Sequence, residues 1–119
     1  MVLAFLAWAA RAEEPTDVSM VQLVATPERY QGKVIRVVAF LHIEFEGNGL
    51  YTHEEDYRRS LYKNGVWVDL SGRSYSDASK LNNSYVIAVG TFDATTMGHL
   101  GLWSGTLKDV QRLSPWNVK

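Results

Sequence analysis

Two histidines and a glutamate are the residues of this chain whose types and spacing suit metal binding. His42 and Glu44 are two residues apart, so in a strand their side chains share one face, and His53 follows a glycine-containing turn. An antiparallel strand pair would bring His42, Glu44 and His53 together, and imidazole with carboxylate suits zinc or iron. The alternative is a solvated sheet face on which a glutamate lies opposite a cation. No fixed-spacing ligand motif such as HExxH supports the metal site, so we expect no cofactor.

Three consecutive carboxylates, Glu54, Glu55 and Asp56, could in principle act as acid and base. That chemistry needs burial to drive their pKa values apart, and an exposed segment does not provide it. We interpret them as the first turn of a helix, where anions suit the amide dipole. No serine lies in a nucleophile elbow, and the glycines match neither a P-loop nor a dinucleotide fingerprint. We therefore predict no catalytic residues, and a small metal-dependent enzyme is the remaining catalytic alternative.

Aromatic residues supply the second candidate site. Tyr51, Trp67 and Tyr57, together with Asp69, are predicted to bind a ligand, with the excursion at residues 53–62 as one wall. Exposed aromatic rings can stack on bases or sugars. In proteins that bind single-stranded nucleic acid, each stacked ring contributes roughly 1–3 kcal/mol to the binding free energy. The alternative is packing, because aromatic residues are common in strands. If the valines on either side of Trp67 point inward, its ring stands outside the sheet and needs a partner or a covering helix.

Hydrophobic periodicity places these residues on a mainly β fold. Ser19 and Gln22 form a capping box that begins a short helix, and Pro27 ends it. Alternation over residues 33–46 predicts a long half-buried strand, although Val34, Val38 and Phe40 interrupt its polar face. The other predicted elements are strands at 50–52, 66–70, 84–92 and 100–107, the last bulged at Gly105 and continuing to Leu113, with a helical excursion at 53–62 and a polar loop at 72–83.

Several segments together resemble small oligonucleotide/oligosaccharide-binding (OB) domains of bacteria. PERYQGKVIRV at residues 27–37 resembles the start of their long first strand. YVIAVGTF at 85–92 followed by GLWSGTL at 101–107 resembles their closing hairpin. FLHIEFEGN at 40–48 with YKNGVWV at 62–68 is also similar to a group of uncharacterised bacterial proteins.

This resemblance covers residues 18–116. It implies a five-stranded OB-like β-barrel with a short N-terminal helix and a short helical excursion between strands 2 and 3. Such barrels commonly bind ligands across strands two and three, which correspond here to residues 50–52 and 66–70. One departure is Ala39, where OB first strands often carry a glycine at their bend.

The first twelve residues predict export. Residues 1–10 are an unbroken apolar run that ends in Ala10-Arg11-Ala12, a small-x-small cleavage pattern. The run is shorter than the roughly 20 residues that cross a bilayer, so no stable span is expected after cleavage. No positive residue precedes it, which leaves a start farther upstream or a buried helix as alternatives. We divide the chain into a signal remnant at 1–12 and one OB-like barrel domain at 13–119, periplasmic or secreted, or cytoplasmic if the run is not a signal.

Charge and composition restrict the function further. Twelve Lys and Arg against thirteen Asp and Glu give a net charge of −1, so no basic field favours a phosphate backbone and nucleic acid is an unfavoured partner. The absence of cysteine excludes disulfides and thiolate catalysis. The sequence thus predicts a non-enzymatic binding or interaction module of the bacterial cell envelope, for a protein or small-molecule ligand that it does not identify. A single-stranded nucleic-acid-binding OB domain is the alternative.

Overall fold

The computed structural model of the chain describes residues 14–72 and 75–117, so the predicted signal segment at 1–12 lies outside the described residues. The strands are β1 Thr16–Asp17, β2 Val34–His42, β3 Gly49–Tyr51, β4 Gly65–Val68, β5 Ser84–Asp93 and β6 Thr106–Pro115. The helices are α1 Met20–Ala25, α2 Glu54–Arg58 and α3 Tyr75–Ser79, with 3₁₀ turns at Pro27–Tyr30, Tyr62–Asn64 and His99–Gly101. No helix within the described ranges is long and apolar enough to cross a membrane.

Strands β2 to β6 close into a five-stranded barrel. The strand order is β2-β3-β4-β6-β5, and β5 pairs back with β2 along eight residue pairs. β4 and β6 run parallel, whereas the other neighbours within the barrel are antiparallel. The short β1 adds to β2 in parallel, outside the closed ring. The predicted fold class, a mainly β, five-stranded OB-like barrel with a short N-terminal helix and a helical excursion between the second and third barrel strands, is confirmed.

The period-two pattern of the strands decides which side chains fill the barrel. Along β2, the alternate residues Ile35, Val37, Ala39 and Leu41 are almost completely buried in the core. The other parity of β2 points outward, as expected for a pleated strand. In β4 the two valines flanking Trp67 are fully buried, so the indole lies on the outer face.

Helix α1 begins and ends where the sequence predicts. The Ser19 hydroxyl accepts from the Gln22 amide at 3.1 Å, and the Ser19 amide donates to the Gln22 side chain at 2.9 Å. This reciprocal pair satisfies two amides that the helix itself leaves free. Leu23 is fully buried against the barrel core, and Pro27 opens the following 3₁₀ turn.

Two predicted element boundaries are wrong. The long first strand ends at His42 rather than at residue 46, because the Gly47 amide turns back to the Glu44 carbonyl at 3.0 Å. The polar loop predicted at 72–83 contains helix α3, whose Ala78 is buried in the core. One small apolar residue among polar ones gave too weak a periodic signal for that helix.

The fifth predicted strand is also misplaced. It begins at Thr106 instead of residue 100, because Leu100 has a φ of 58° within the 3₁₀ turn and interrupts an extended conformation. The predicted bulge at Gly105 is absent from that position. The register instead shifts opposite Gly90, where Asp109 has a φ of 49°. Gly105 serves close packing, since a Cβ there would overlap the ring of Phe92.

Candidate functional site

The outer face of β3 and β4, where OB barrels commonly bind, is covered by the chain itself. The aromatic rings on this face and the rings that pack over them form one group, which we call the aromatic layer. It consists of Phe40, His42, Tyr51, Tyr57, Tyr62, Trp67 and Trp103. At its base the ring of Tyr51 lies directly over Gly49 and Gly65. A Cβ at either glycine would come within 2.6 or 2.8 Å of that ring. Tyr51 is completely buried, so it belongs to the packing of this face and offers no surface to a ligand.

Helix α2 covers one half of the aromatic layer. Tyr57 stacks on His42 with ring centroids 3.7 Å apart, and its ring lies 5.9 Å from that of Tyr51. Asp56 anchors the helix, because its carboxylate accepts from the His53 amide at 2.9 Å and from the Asn64 side chain at 3.0 Å. The three consecutive carboxylates form the first turn of α2, which confirms their predicted helical role.

The loop between β5 and β6 covers the other half. Trp103 is 2% exposed, and its ring lies edge-on to Trp67 with centroids 5.0 Å apart. Gly98, with a φ of 73°, brings the loop backbone so close that a Cβ there would lie 2.9 Å from Trp67. The Lys63 ammonium donates to the Trp103 carbonyl at 3.3 Å. Trp67 therefore stands outside the barrel with a partner, as the inward valines require.

Burial also changes the chemistry of Tyr51. Loss of solvent raises the pKa of its phenol to about 12, since the charged phenolate is poorly solvated there. The nearby N–H group of the Trp103 indole lowers the pKa of Tyr51 and so offsets part of this rise. The distance and angle of this contact fall outside hydrogen-bond limits, and the Trp103 Nε1 has no hydrogen-bond partner within the described residues. The aromatic layer thus holds a neutral phenol at ordinary pH.

The residues predicted to bind metal lie in different surroundings. His42 is buried, with Nδ1 2.7 Å from the Asn83 side-chain oxygen and Nε2 3.6 Å from Glu44. His53 is exposed and faces Asp56 at 3.8 Å. Within the described residues, no three His, Asp or Glu side chains are grouped to hold a metal ion. The structure brings His42 and Glu44 near each other and leaves His53 out of that pair.

Trp67 and Asp69, two of the predicted ligand-binding residues, share a cleft of about 340 Å³ at the end of β4. Asn48 also lines the cleft, and its side-chain oxygen is buried without a hydrogen-bond partner in the described parts of the chain. The Asp69 carboxylate accepts from the Ser71 amide at 2.9 Å, which caps the local turn. Tyr51 and Tyr57 do not line this cleft.

A second cavity, of about 780 Å³, lies along β2, β5 and β6 and beside α1. We call it the β2 groove. Its exposed and half-buried apolar lining comes from Val21, Val38, Ile87 and Trp116. Val21 is 61% exposed and Trp116 is 44% exposed. This surface therefore presents large apolar side chains that no described part of the chain covers.

The β2 groove carries one cation in excess. Arg36 makes a two-pronged ion pair with Asp17, with distances of 2.5 and 2.6 Å, and this hydrogen bonding lowers the pKa of Asp17. Arg112 donates to the Ser114 hydroxyl at 3.0 Å and has no carboxylate partner among the described residues. Because Asp17 neutralises Arg36, the lining favours an anion beside Arg112.

No pattern in the sequence singled out Ile87, Arg112 or Trp116. One signal was present, because Val38 interrupts the polar face of the first long strand, and an apolar residue there needs a cover or a ligand. The other lining residues come from α1, β5 and the end of β6, which only the closed barrel brings together. In comparisons with known proteins, no family model matches the chain and no similar curated protein is found.

Proposed function

We propose that this protein is a non-enzymatic binding module of the bacterial cell envelope and that its ligand occupies the β2 groove. The observation that carries the proposal is the 780 Å³ cavity with its uncovered apolar lining. Ligand sites are usually concave, mostly apolar and about 300–1,000 Å³ in volume, with a few polar groups that fix orientation. The groove combines an apolar lining with polar groups, among them the charged side chains of Asp17, Arg36 and Arg112.

The covered state of the β3–β4 face supports this choice of site. A ligand on β3 and β4 would have to displace Tyr57 from its stack on His42 or remove Trp103 from its contact with Trp67. Both movements would expose buried aromatic surface to water, at a cost of about 25 cal/mol per Å². A ligand in the β2 groove displaces only water, so binding there needs no such opening.

The envelope location rests on the signal-like pattern of residues 1–12 and on the resemblance to the bacterial OB-type group. An exported binding module needs no catalytic group, and the proposal assigns none. Fractionation of cells that produce the full chain tests the location separately. A protein that stays entirely in the cytoplasm at full length would remove the envelope from the proposal and leave the binding site standing.

Titration with the apolar anion 8-anilinonaphthalene-1-sulfonate tests the binding site. We expect saturable enhancement of the probe's fluorescence, weakened by Val38→Gln because that change places an amide in the middle of the groove. The matched control is Phe45→Ser, which removes an 89% exposed ring that does not line the groove. Both variants should melt cooperatively. If Phe45→Ser abolishes probe binding and Val38→Gln leaves it unchanged, the proposed site is wrong.

A further inference from the structure

The backbone of β2 has an unpaired position that faces the β2 groove. Successive residues of a strand direct their N–H and C=O groups to opposite edges. The Leu41 carbonyl accepts from the Asn83 amide on the β5 side, and the Arg36 carbonyl accepts from the Val18 amide on the other side. Val38 has the parity of Arg36, so its N–H and C=O point away from β5.

On that side the neighbouring strands leave a gap. The pairing of β1 with β2 ends at Arg36, and the pairing of β3 begins at Phe40. Among the described residues, no backbone group pairs with Val38 at this edge. Because Val38 and Thr52 both line the cavity, the gap opens into the β2 groove.

The unpaired backbone groups of Val38 distinguish between an acyl chain and an extended peptide as the ligand of the groove. An acyl chain laid over Val38 would remove water from a backbone donor and an acceptor and replace neither hydrogen bond, which is costly. An extended peptide can supply both partners and place alternate side chains against the apolar lining. The unpaired cation Arg112 adds a preference for a carboxylate near one end of that peptide.

We propose that the β2 groove binds an extended peptide segment that pairs with the backbone of Val38, packs apolar side chains against Ile87 and Trp116, and carries a carboxylate beside Arg112. This inference rests on the proposed function, since it names the ligand of the same groove. The pairing covers a single position of β2, so the peptide crosses the gap and does not extend the sheet.

Selection from a random hexapeptide phage library tests the inference. We expect enrichment of peptides with alternating apolar residues and at least one Asp or Glu, which compete with 8-anilinonaphthalene-1-sulfonate. In fluorescence anisotropy, Arg112→Gln should weaken an enriched peptide about tenfold, and Arg112→Lys should recover part of the loss. Methylation of one backbone amide of the peptide should cost about as much, because it blocks pairing with Val38. Arg29→Gln, on the Pro27–Tyr30 turn outside the groove, is the matched control.

The contrary outcomes separate this inference from the proposed function. If no peptide is enriched, or if enriched peptides tolerate both Arg112→Gln and methylation at every position, the peptide inference is overturned. Retained binding of the fluorescent probe in those cases leaves the groove as a ligand site, and displacement of the probe by decanoate would then identify an amphiphile as its occupant. If neither probe nor peptide binds, the proposed function fails together with the inference.

Discussion

The two outer faces of the barrel use similar residues in opposite ways. On β3 and β4, Tyr51 and Trp67 point outward and are covered by α2 and by the loop before β6. Val38 on β2, Ile87 on β5 and Trp116 just after β6 also point outward and have no such cover. Apolar residues on a barrel face therefore do not by themselves identify a binding site. The connections between strands decide which face stays open.

The difference also separates stability from binding. Burying an aromatic side chain stabilises the fold, because the apolar area leaves water permanently. A contiguous apolar patch that stays exposed offers the same gain to a partner instead. We therefore expect substitutions in the aromatic layer to lower the free energy of unfolding, and substitutions in the β2 groove to affect binding with a smaller change in stability.

Two tryptophans provide the largest test of this contrast. Trp103→Ala should lower the free energy of unfolding by about 3–5 kcal/mol, since it removes a ring that is packed on both sides. Trp116→Ala should lower it by clearly less, on the order of 1–2 kcal/mol, since that ring is half exposed. Urea denaturation of both variants makes the comparison. Equal losses would mean that the groove side is packed as tightly as the aromatic layer.

Two glycines with a positive φ provide a smaller test. Gly98 and Gly32 both have a φ of 73°, which disfavours alanine at either position, and Gly98 also has a ψ of −165°, a combination that glycine almost alone adopts. Only at Gly98 does the new methyl also meet Trp67 and Trp103, whereas at Gly32 it meets open space. The added overlap should cost a further 1–3 kcal/mol or so.

The difference between Gly98→Ala and Gly32→Ala in chemical denaturation measures that contact together with the backbone strain specific to Gly98. If both variants lower the free energy of unfolding equally, the loop at Gly98 does not pack closely against Trp67 and Trp103. The β3–β4 face would then be easier to open than the structure indicates.

Local patterns of the sequence were enough to predict the barrel. The capping box of Ser19 and Gln22, the alternation along β2 and the carboxylates that open α2 each involve neighbours within a few residues. Such patterns determine the type of an element and the face of a strand that turns inward. The outward position of Trp67 followed from its neighbours in the same way.

The cover of the β3–β4 face could not be predicted by the same means. It depends on contacts between distant segments, such as Tyr57 on His42 and Gly98 on Trp67. Residues 100–107 resembled a strand, although Leu100 is exposed in a 3₁₀ turn and Trp103 packs on Trp67 from the loop before β6. Tyr51 was consequently predicted as a ligand contact, and the β2 groove was missed, since both depend on how loops close over a finished barrel.

The ionisation of Tyr51 provides the most specific test of whether the β3–β4 face is closed to water. The folded protein holds the pKa of this phenol at about 12, whereas the unfolded chain ionises near pH 10. Protons bind more tightly to the folded state, so this contribution to stability is complete below about pH 10 and is lost as the pH rises towards 12. The urea midpoint of the wild type should therefore fall more steeply between pH 9 and 11.5 than that of Tyr51→Phe, which keeps the ring and lacks the ionising group. Parallel curves would show that solvent reaches the phenol, and the β3–β4 face would then have to be counted as open.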